Sequence, residues 1–268
     1  MSQPAESAVH PSGSLLPGFD HRRLRTTGAD INYAIGGGGP PLLLLHGNPL
    51  THVSWHKVAP SLAERFTVVL PDLRGYGDSS KPDGGEDHSA YSFRAMAQDN
   101  IEVMRSLGFD RFQVAGHDRG ARVAFRMALD APEAVSRLAA LDIVPTYELL
   151  SDVTLGWGLE SYHWFFMAQK APFPERLIGA DLDYYIDYKL NKKGVGLSIF
   201  DPQAFAEYKA KLDESVARAQ RSFDSMTDEI QRRNLEGKNN IFKTGIMSSR
   251  LSDSATMVWT ADPRLDID

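Results

Sequence analysis

Short apolar runs alternate with stretches of helical periodicity along the first half of the chain. The apolar runs, which predict buried strands, are Pro41–Leu45, Thr67–Leu70, Phe112–Ala115 and Leu138–Val144. The stretches that predict helices are Val58–Phe66, Tyr91–Leu107 and Val123–Leu129. Strands that alternate with helices pair in parallel, so the predicted fold class is α/β with a doubly wound, mostly parallel sheet.

Changes of pattern along the chain divide it into four regions. Residues 1–17 are polar, contain Ser, Pro and Gly, and are expected to form a loose tail. Residues 18–145 carry the strands and helices of the core and begin with an alternating segment that predicts a hairpin. Aromatic residues crowd 146–220 without a strand pattern, which predicts a helical cap over the sheet. Residues 221–268 are expected to form a divergent segment, distinct from the core and the cap, that returns to the core only in part.

Composition narrows the class of protein. The chain of 268 residues is long enough for one sizeable core. Its net charge of -6, without a long basic run, argues against a nucleic-acid partner. The sequence has no cysteine, so disulfides and thiolate metal sites are excluded, which fits the cytoplasm. Because no run is apolar enough for a signal core or a membrane span, we expect a cytoplasmic protein that has no membrane partner.

The turn after the third apolar run carries the strongest chemical pattern. It reads Gly-x-Asp-x-Gly, from Gly116 to Gly120. The glycines let the backbone turn tightly, so the side chain of Asp118 is expected at the exposed apex. A carboxylate there suits attack on a saturated carbon, and Arg119 and Arg122 add fixed positive charge. The alternative is an ordinary strand-to-helix turn with a solvated Asp-Arg pair.

Other polar groups are expected at the same edge of the sheet. The loop 46–49 follows the first apolar run, and its backbone N–H groups can bind a developing anion, whereas the ring of His46 is expected to be structural. Asp142 lies near the end of the fourth apolar run and is expected to share one cleft with Asp118. In the cap, His163 and Trp164 offer ring N–H donors to an anion, although they could instead belong to the core of the cap.

Five segments together resemble a known family. They are His46–Pro49 with Trp55, Asp72–Ser79, Gly116–Arg122, Leu141–Thr146 and Tyr162–Trp164. With these segments the chain resembles an α/β-hydrolase with an Asp nucleophile, and most closely the fluoroacetate (haloacetate) dehalogenases, over roughly residues 20–212. Epoxide hydrolases and haloalkane dehalogenases share the first two segments. The paired arginines and the His-Trp of the cap are more specific.

The resemblance implies roles for the polar residues at the sheet edge. Asp118 attacks the carbon that bears the halogen in an SN2 step and becomes an ester. Arg119 and Arg122 hold the carboxylate of the substrate, which suits guanidinium groups. A histidine, oriented by Asp142, then activates water to cleave the ester to glycolate.

The resemblance also implies a halide site and a set of partners. His163 and Trp164 donate hydrogen bonds to the departing halide. The partners are a small haloacid and water, no metal or organic cofactor is required, and a homodimer is one option for the assembly. The oxyanion or halide loop is formed by His46, Gly47, Asn48 and Pro49.

The chain departs from the family at the catalytic histidine. None of its eight histidines follows residue 163, whereas the family places this histidine near the carboxyl terminus. Ser254–Thr260 resembles the next-to-last core strand, so the last strand and helix are expected to be missing. The second step would then lack its base. Neither His117 nor His46 is expected to replace it, because each belongs to its own motif.

Two other functions stay open. An epoxide hydrolase would need two cap tyrosines, and Tyr147, Tyr162, Tyr184, Tyr185 and Tyr188 are available. In that reading the two arginines would have no substrate carboxylate to bind. The third reading is a homologue without turnover that binds small anions, or a decayed gene product.

Overall fold

A computed structural model describes residues 15–84, 89–146, 149, 153–191 and 196–216. Within this part the chain forms a six-stranded sheet in the order β1-β2-β4-β3-β5-β6. The first two strands form the predicted hairpin, β2 pairs with β4 in antiparallel fashion, and β3 to β6 are parallel. The strands are β1 Asp20–Arg25, β2 Asp30–Gly37, β3 Pro41–Leu45, β4 Thr67–Pro71, β5 Phe112–His117 and β6 Val135–Leu141.

Helices flank the sheet and form a cap. Helices α1 to α3 belong to the core, as the periodicity predicts, and the later helices form the helical cap. They are α1 Ala59–Ala63, α2 Phe93–Ser106, α3 Arg119–Asp130, α4 Leu155–Glu160, α5 Tyr162–Met167, α6 Phe173–Ala180, α7 Leu182–Leu190 and α8 over 202–216. Short 3-10 turns lie at His52–Trp55, Ser89–Tyr91 and Leu197–Ile199.

Both faces of the central strands are buried, which explains their unbroken apolar runs. Leu43 and Leu45 of β3 belong to the cluster that also contains residues of α2 and α3. Leu42 and Leu44 point to the other face and join a cluster that includes Ile186 of the cap. The sheet and the cap therefore share part of one apolar core.

Two sequence expectations about the core need correction. The loose tail was expected to reach residue 17, but Leu16 is fully buried in the second cluster, so the packed chain includes it. The fourth apolar run was expected to form a buried strand over Leu138–Val144, but β6 ends at Leu141 and most of its residues are exposed. The apolar run continues past the end of the strand because Ile143 and Val144 line a cavity beyond it.

Some expectations concern residues outside the described part of the chain. The strand predicted at Ser254–Thr260 and the region 221–268 lie there. Across the described helices, none combines the length and hydropathy needed to cross a membrane.

Candidate active site

The turn between β5 and α3 holds Asp118 in a strained backbone conformation. Its φ is 51° and its ψ is -118°, a region that few non-glycine residues adopt. A β-carbon on Gly116 would overlap the backbone of Gly120, and one on Gly120 would overlap the backbone of Leu45, so both positions need glycine, as the sequence predicts. The backbone N–H of Asp118 donates to the carbonyl of Leu141 at 3.2 Å, which ties the apex to the end of β6.

The loop after β3 touches the carboxylate of Asp118 directly. The backbone N–H of Asn48 donates to Asp118 Oδ1 at 2.8 Å. A β-carbon on Gly47 would lie 2.7 Å from the β-carbon of Asp118, so only glycine leaves room for this approach. The hydroxyl of Tyr76 donates to Asn48 Oδ1 at 3.3 Å, and burial raises the pKa of Tyr76. The loop therefore presents an N–H donor to the carboxylate, and Tyr76, which the sequence did not single out, supports it.

His46 lies beneath this loop, with both ring nitrogens in hydrogen bonds. Its Nδ1 lies 2.9 Å from the carbonyl of Gly47, and its Nε2 accepts from the backbone N–H of Leu73 at 3.0 Å. An acceptor at Nε2 requires the proton to be on Nδ1. Burial lowers the pKa of His46 from 6.5 to about 4, so the ring is neutral at pH 7. Its geometry is that of the structural histidine the sequence predicts.

Asp72 anchors the loop after β4 from a fully buried position. Its Oδ1 lies 2.9 Å from His52 Nδ1 and accepts the backbone N–H of His52 at 2.8 Å, while Oδ2 accepts from Asn32 at 2.9 Å. Burial alone would favour the neutral acid, but the charge and hydrogen bonds of His52 outweigh it and lower the pKa of Asp72. Arg74, in the same loop, forms its ion pair with Asp99 at 2.7 Å.

The two arginines after Asp118 have different surroundings. Arg122 is buried, its Nη1 donates to Thr146 Oγ1 at 2.7 Å, and its guanidinium lies 5.0 Å from the ring centre of Trp164. Arg119 lies 5.9 Å from the ring centre of Tyr76 and 5.6 Å from that of Phe93. In the described part of the chain, Arg122 lines the cavity at Asp118 and Arg119 does not. The structure therefore brings only one of the two predicted arginines to the wall of the cavity.

A cavity of about 650 Å³ lies between the sheet edge and the cap. Asp118, Asp142 and Arg122 form part of its core side, and His163 and Trp164 of α5 part of its cap side. Both predicted aspartates thus open on one cleft. The core wall also includes Asn48, and the remaining lining residues are His117, Ile143, Val144, Leu149, Trp157, Ser161, Lys189 and Leu190.

Lys189 is a cavity residue that the sequence reasoning missed. It lies in the last turn of α7 and is only 8% exposed, although it is a lysine. One indication was available, because Lys189 follows the fully buried Ile186 by three positions and so shares its helix face. With Arg122 it places one cationic residue on the core side and one on the cap side of the cavity.

Asp142 follows β6 directly and is held differently from Asp118. Its φ is 57° and its side chain is 90% exposed. Asp142 Oδ2 lies 3.8 Å from His117 Nε2. It also borders a second cavity, of about 900 Å³, with Tyr162, Tyr184 and Tyr188. In the residues that the structure describes, no group of three or more side chains is arranged to hold a metal ion.

Comparisons with known proteins agree with this architecture. Residues 40–186 match the family model described as alpha/beta hydrolase fold. A fluoroacetate dehalogenase from Burkholderia sp is 48% identical over 204 residues, 76% of this chain and 67% of that protein. A soluble epoxide hydrolase from Corynebacterium sp. (strain C12) is 38% identical over 70% of this chain and 65% of its own length. The structure of a candidate alpha/beta hydrolase from Nostoc sp PCC 7120 superposes with a TM-score of 0.72 at 52% identity, over 74% of this chain and 68% of that one.

The chain belongs to the alpha/beta hydrolase family. It spans about two thirds of the length of the curated dehalogenase and epoxide hydrolase that it matches. The predicted family and fold class are confirmed, and a hydrolase is the class of enzyme that family and site define together.

Proposed function

We propose that the protein hydrolyses the carbon–halogen bond of small haloacids, with fluoroacetate as the type substrate. The observation that carries this proposal is the position of Arg122, a buried cation in the same cavity as the carboxylate of Asp118. A buried guanidinium beside a nucleophile suits a substrate that is itself an anion. The 48% identity to a fluoroacetate dehalogenase supports the same substrate class.

In the proposed first step, an oxygen of Asp118 donates an electron pair to the carbon that bears the halogen. The new carbon–oxygen bond forms as the carbon–halogen bond breaks, and the halide leaves with the bonding electrons. Arg122 holds the carboxylate of the substrate. We assign Arg119 a supporting role in which it adds positive charge behind the carboxylate site, because its guanidinium lies against the rings of Tyr76 and Phe93.

The leaving halide is proposed to bind at the cap. His163 and Trp164 line the cavity from α5, on the side opposite Asp118, and their ring N–H groups are suitable donors. Fluoride is a poor leaving group, so donors placed where its charge develops lower the barrier. Water that is activated by a histidine then cleaves the remaining ester on Asp118 and releases glycolate. Asp142 orients that histidine. None of these steps needs a metal or an organic cofactor.

Epoxide hydrolysis is the second candidate function. Tyr162, Tyr184 and Tyr188 border the cavity next to Asp142, and a tyrosine hydroxyl could protonate the alkoxide of an opened epoxide. The 38% identity to a soluble epoxide hydrolase also favours it. The buried Arg122 argues against it, because a neutral epoxide offers no partner for this cation.

A pair of assays separates the candidates. We expect fluoride release from fluoroacetate and no diol from a neutral epoxide. Asp118→Asn should abolish fluoride release, whereas the exposed Asp110→Asn should leave it unchanged. Epoxide opening without any fluoride release or adduct would favour the second function. Neither activity, in a protein that binds haloacids, would point to the homologue without turnover.

A further inference from the structure

A pair of tryptophans lies on the cap side of the cavity at Asp118. Trp157 of α4 and Trp164 of α5 both line this cavity. Their ring centres are 5.8 Å apart and their planes meet at 63°, which is an edge-to-face geometry. Aromatic pairs with this separation and tilt attract each other beyond the burial of their surfaces. Trp164, the proposed donor to the halide, therefore has a second indole as its neighbour.

The ring of Trp164 also contacts the cation that holds the substrate in the proposed function. The guanidinium of Arg122 lies over this ring, 5.0 Å from its centre, which is within the range of a cation–π interaction. Arg122 is itself fixed, because its Nη1 donates to Thr146 Oγ1 at 2.7 Å and to the carbonyl of Val144 at 3.2 Å. Trp164 thus has a fixed neighbour in the core, Arg122, and an aromatic neighbour in the cap, Trp157.

Backbone hydrogen bonds fix Trp157 relative to Trp164. The backbone N–H of Trp157 donates to Thr154 Oγ1 at 3.2 Å, which caps the start of α4. The carbonyl of Trp157 accepts the backbone N–H of Ser161 at 2.8 Å, and the carbonyl of Ser161 accepts that of Trp164 at 2.9 Å. The ring of Trp157 also meets that of Phe165 edge-to-face, with their centres 6.0 Å apart. The two indoles are therefore linked through the backbone as well as through their rings.

We propose that Trp157 is a positioning residue that fixes the indole of Trp164 and thereby sets the preference of the site among halogens. The inference rests on the proposed function, because it concerns the halide site of that reaction. The Nε1–H of Trp164 is a single donor, and its direction turns with the ring. An indole that is confined by Arg122 and Trp157 keeps this donor in place while the halide departs.

Confinement of the donor matters most for fluoride. Fluoride is the smallest halide and the poorest leaving group, so it depends on donors that are close and already oriented as its charge develops. Chloride and bromide are larger and leave more readily, so they need less stabilisation and tolerate a donor that has moved outward. Loss of the contact with Trp157 should therefore slow the reaction of fluoroacetate more than that of chloroacetate or bromoacetate.

Turnover of these three haloacetates measures the preference. For Trp157→Leu we expect kcat/KM for fluoroacetate to fall about three- to tenfold relative to that for bromoacetate, as the loss of one aromatic contact predicts. Trp157→Phe retains a ring beside Trp164 and should keep the wild-type ratio. The matched control Phe173→Leu removes an exposed cap aromatic that packs against Phe166, and it should leave the ratio unchanged.

Inhibition by free halides gives a second measurement, which reports binding at the halide site. The inhibition constant of fluoride should rise more than that of bromide in Trp157→Leu, whereas a merely structural role would weaken both halides alike. Phe165→Leu tests the same contact from the other side and keeps the test valid where Trp157→Leu does not fold. Phe165 is 46% exposed, and its loss should lower the fluoroacetate ratio in the same direction because it loosens Trp157.

The outcomes separate this inference from the proposed function. A wild-type ratio of fluoroacetate to bromoacetate turnover in the folded leucine variants would overturn the inference and leave the proposed function standing. An equal loss with every halogen would do the same, because it would assign Trp157 to the stability of the cap. A wild type that releases no halide from any of the three haloacetates would instead remove the proposed function, and the inference with it.

Discussion

Gly47 packs against Asp118, the residue whose carboxylate we propose as nucleophile. For Gly47→Ala, the new β-carbon would lie 2.7 Å from the β-carbon of Asp118, well inside van der Waals contact. Because Asp118 is also held by the N–H of Asn48, relief of this overlap must displace the loop or the aspartate. We expect the release of fluoride in the first turnover, the fluoride burst, to slow at least about a hundredfold. Small misplacements of reacting groups cost a factor of that order.

Gly38→Ala is the matched control for this substitution. No atom lies within 4 Å of the position of its β-carbon, and its φ is not in the left-handed region. It should keep the full burst. Circular dichroism and thermal unfolding of both variants should be native-like, and a wild-type burst in Gly47→Ala would show that the loop can yield without harm to Asp118.

Arg122 tests the assignment of the substrate carboxylate. Arg122→Lys keeps the charge but loses the planar fork that reaches Thr146 and lies against Trp164. We expect KM for fluoroacetate to rise about tenfold, as a lost hydrogen bond between charged groups predicts. Steady-state fluoride release checks it, with the half-exposed Arg105→Lys as control. An unchanged KM would place the carboxylate elsewhere in the cavity.

Strands were easier to predict from the sequence than the contacts between them. The bounds of β3 follow from its apolar run, because a strand buried on both faces tolerates no polar residue. The end of β6 could not be read this way, since Ile143 and Val144 are apolar but face a cavity. At the site, residue types and strand ends indicated Asp118 and the oxyanion loop, but the burial of Lys189 depends on the packing of α7.

Polar contacts join α8 to the core. Lys211 Nζ lies 2.8 Å from Asp78 Oδ1, with both side chains about one-fifth exposed, and Thr51 Oγ1 donates to Glu207 at 2.7 Å. Lys211 also pairs with Glu214 at 3.1 Å, so a single substitution disturbs two contacts. A double-mutant cycle with Lys211→Gln and Asp78→Asn isolates the contact between cap and core.

We expect a coupling energy of about 1 kcal/mol in the free energy of unfolding, which added salt should reduce. The same cycle with Lys211→Gln and Glu214→Gln measures the contact within the helix and should give a smaller value. Urea unfolding provides both numbers. A coupling of zero between residues 78 and 211 would mean that apolar packing alone holds α8 in place.

For the whole molecule, two buried histidines whose pKa values shift in opposite directions contribute to the dependence of stability on pH. Burial lowers the pKa of His46 to about 4 from an ordinary 6.5, so its contribution is complete above pH 6.5 and is lost as the pH falls towards 4. Burial also opposes charge on His52, but Asp72 outweighs this and raises the pKa of His52. The contribution of His52 to the free energy of unfolding is complete below pH 6.5 and is lost as the pH rises through its raised pKa. Together these two groups predict a maximum of stability near pH 6.5.

His46→Gln should flatten the acid side of this curve. An amide at residue 46 retains a donor and an acceptor for Gly47 and Leu73 but cannot take up a proton between pH 6.5 and 4. In the wild type the loss over this interval should reach about 3 kcal/mol at most, from the shift of its pKa. Urea unfolding at a series of pH values measures the slope, and His56→Gln, whose ring is only partly buried, should keep it. An equal acid slope in His46→Gln would assign the loss to carboxylates such as Asp72, whose pKa is lowered in the folded protein, so that its contribution to stability is also lost as the pH falls.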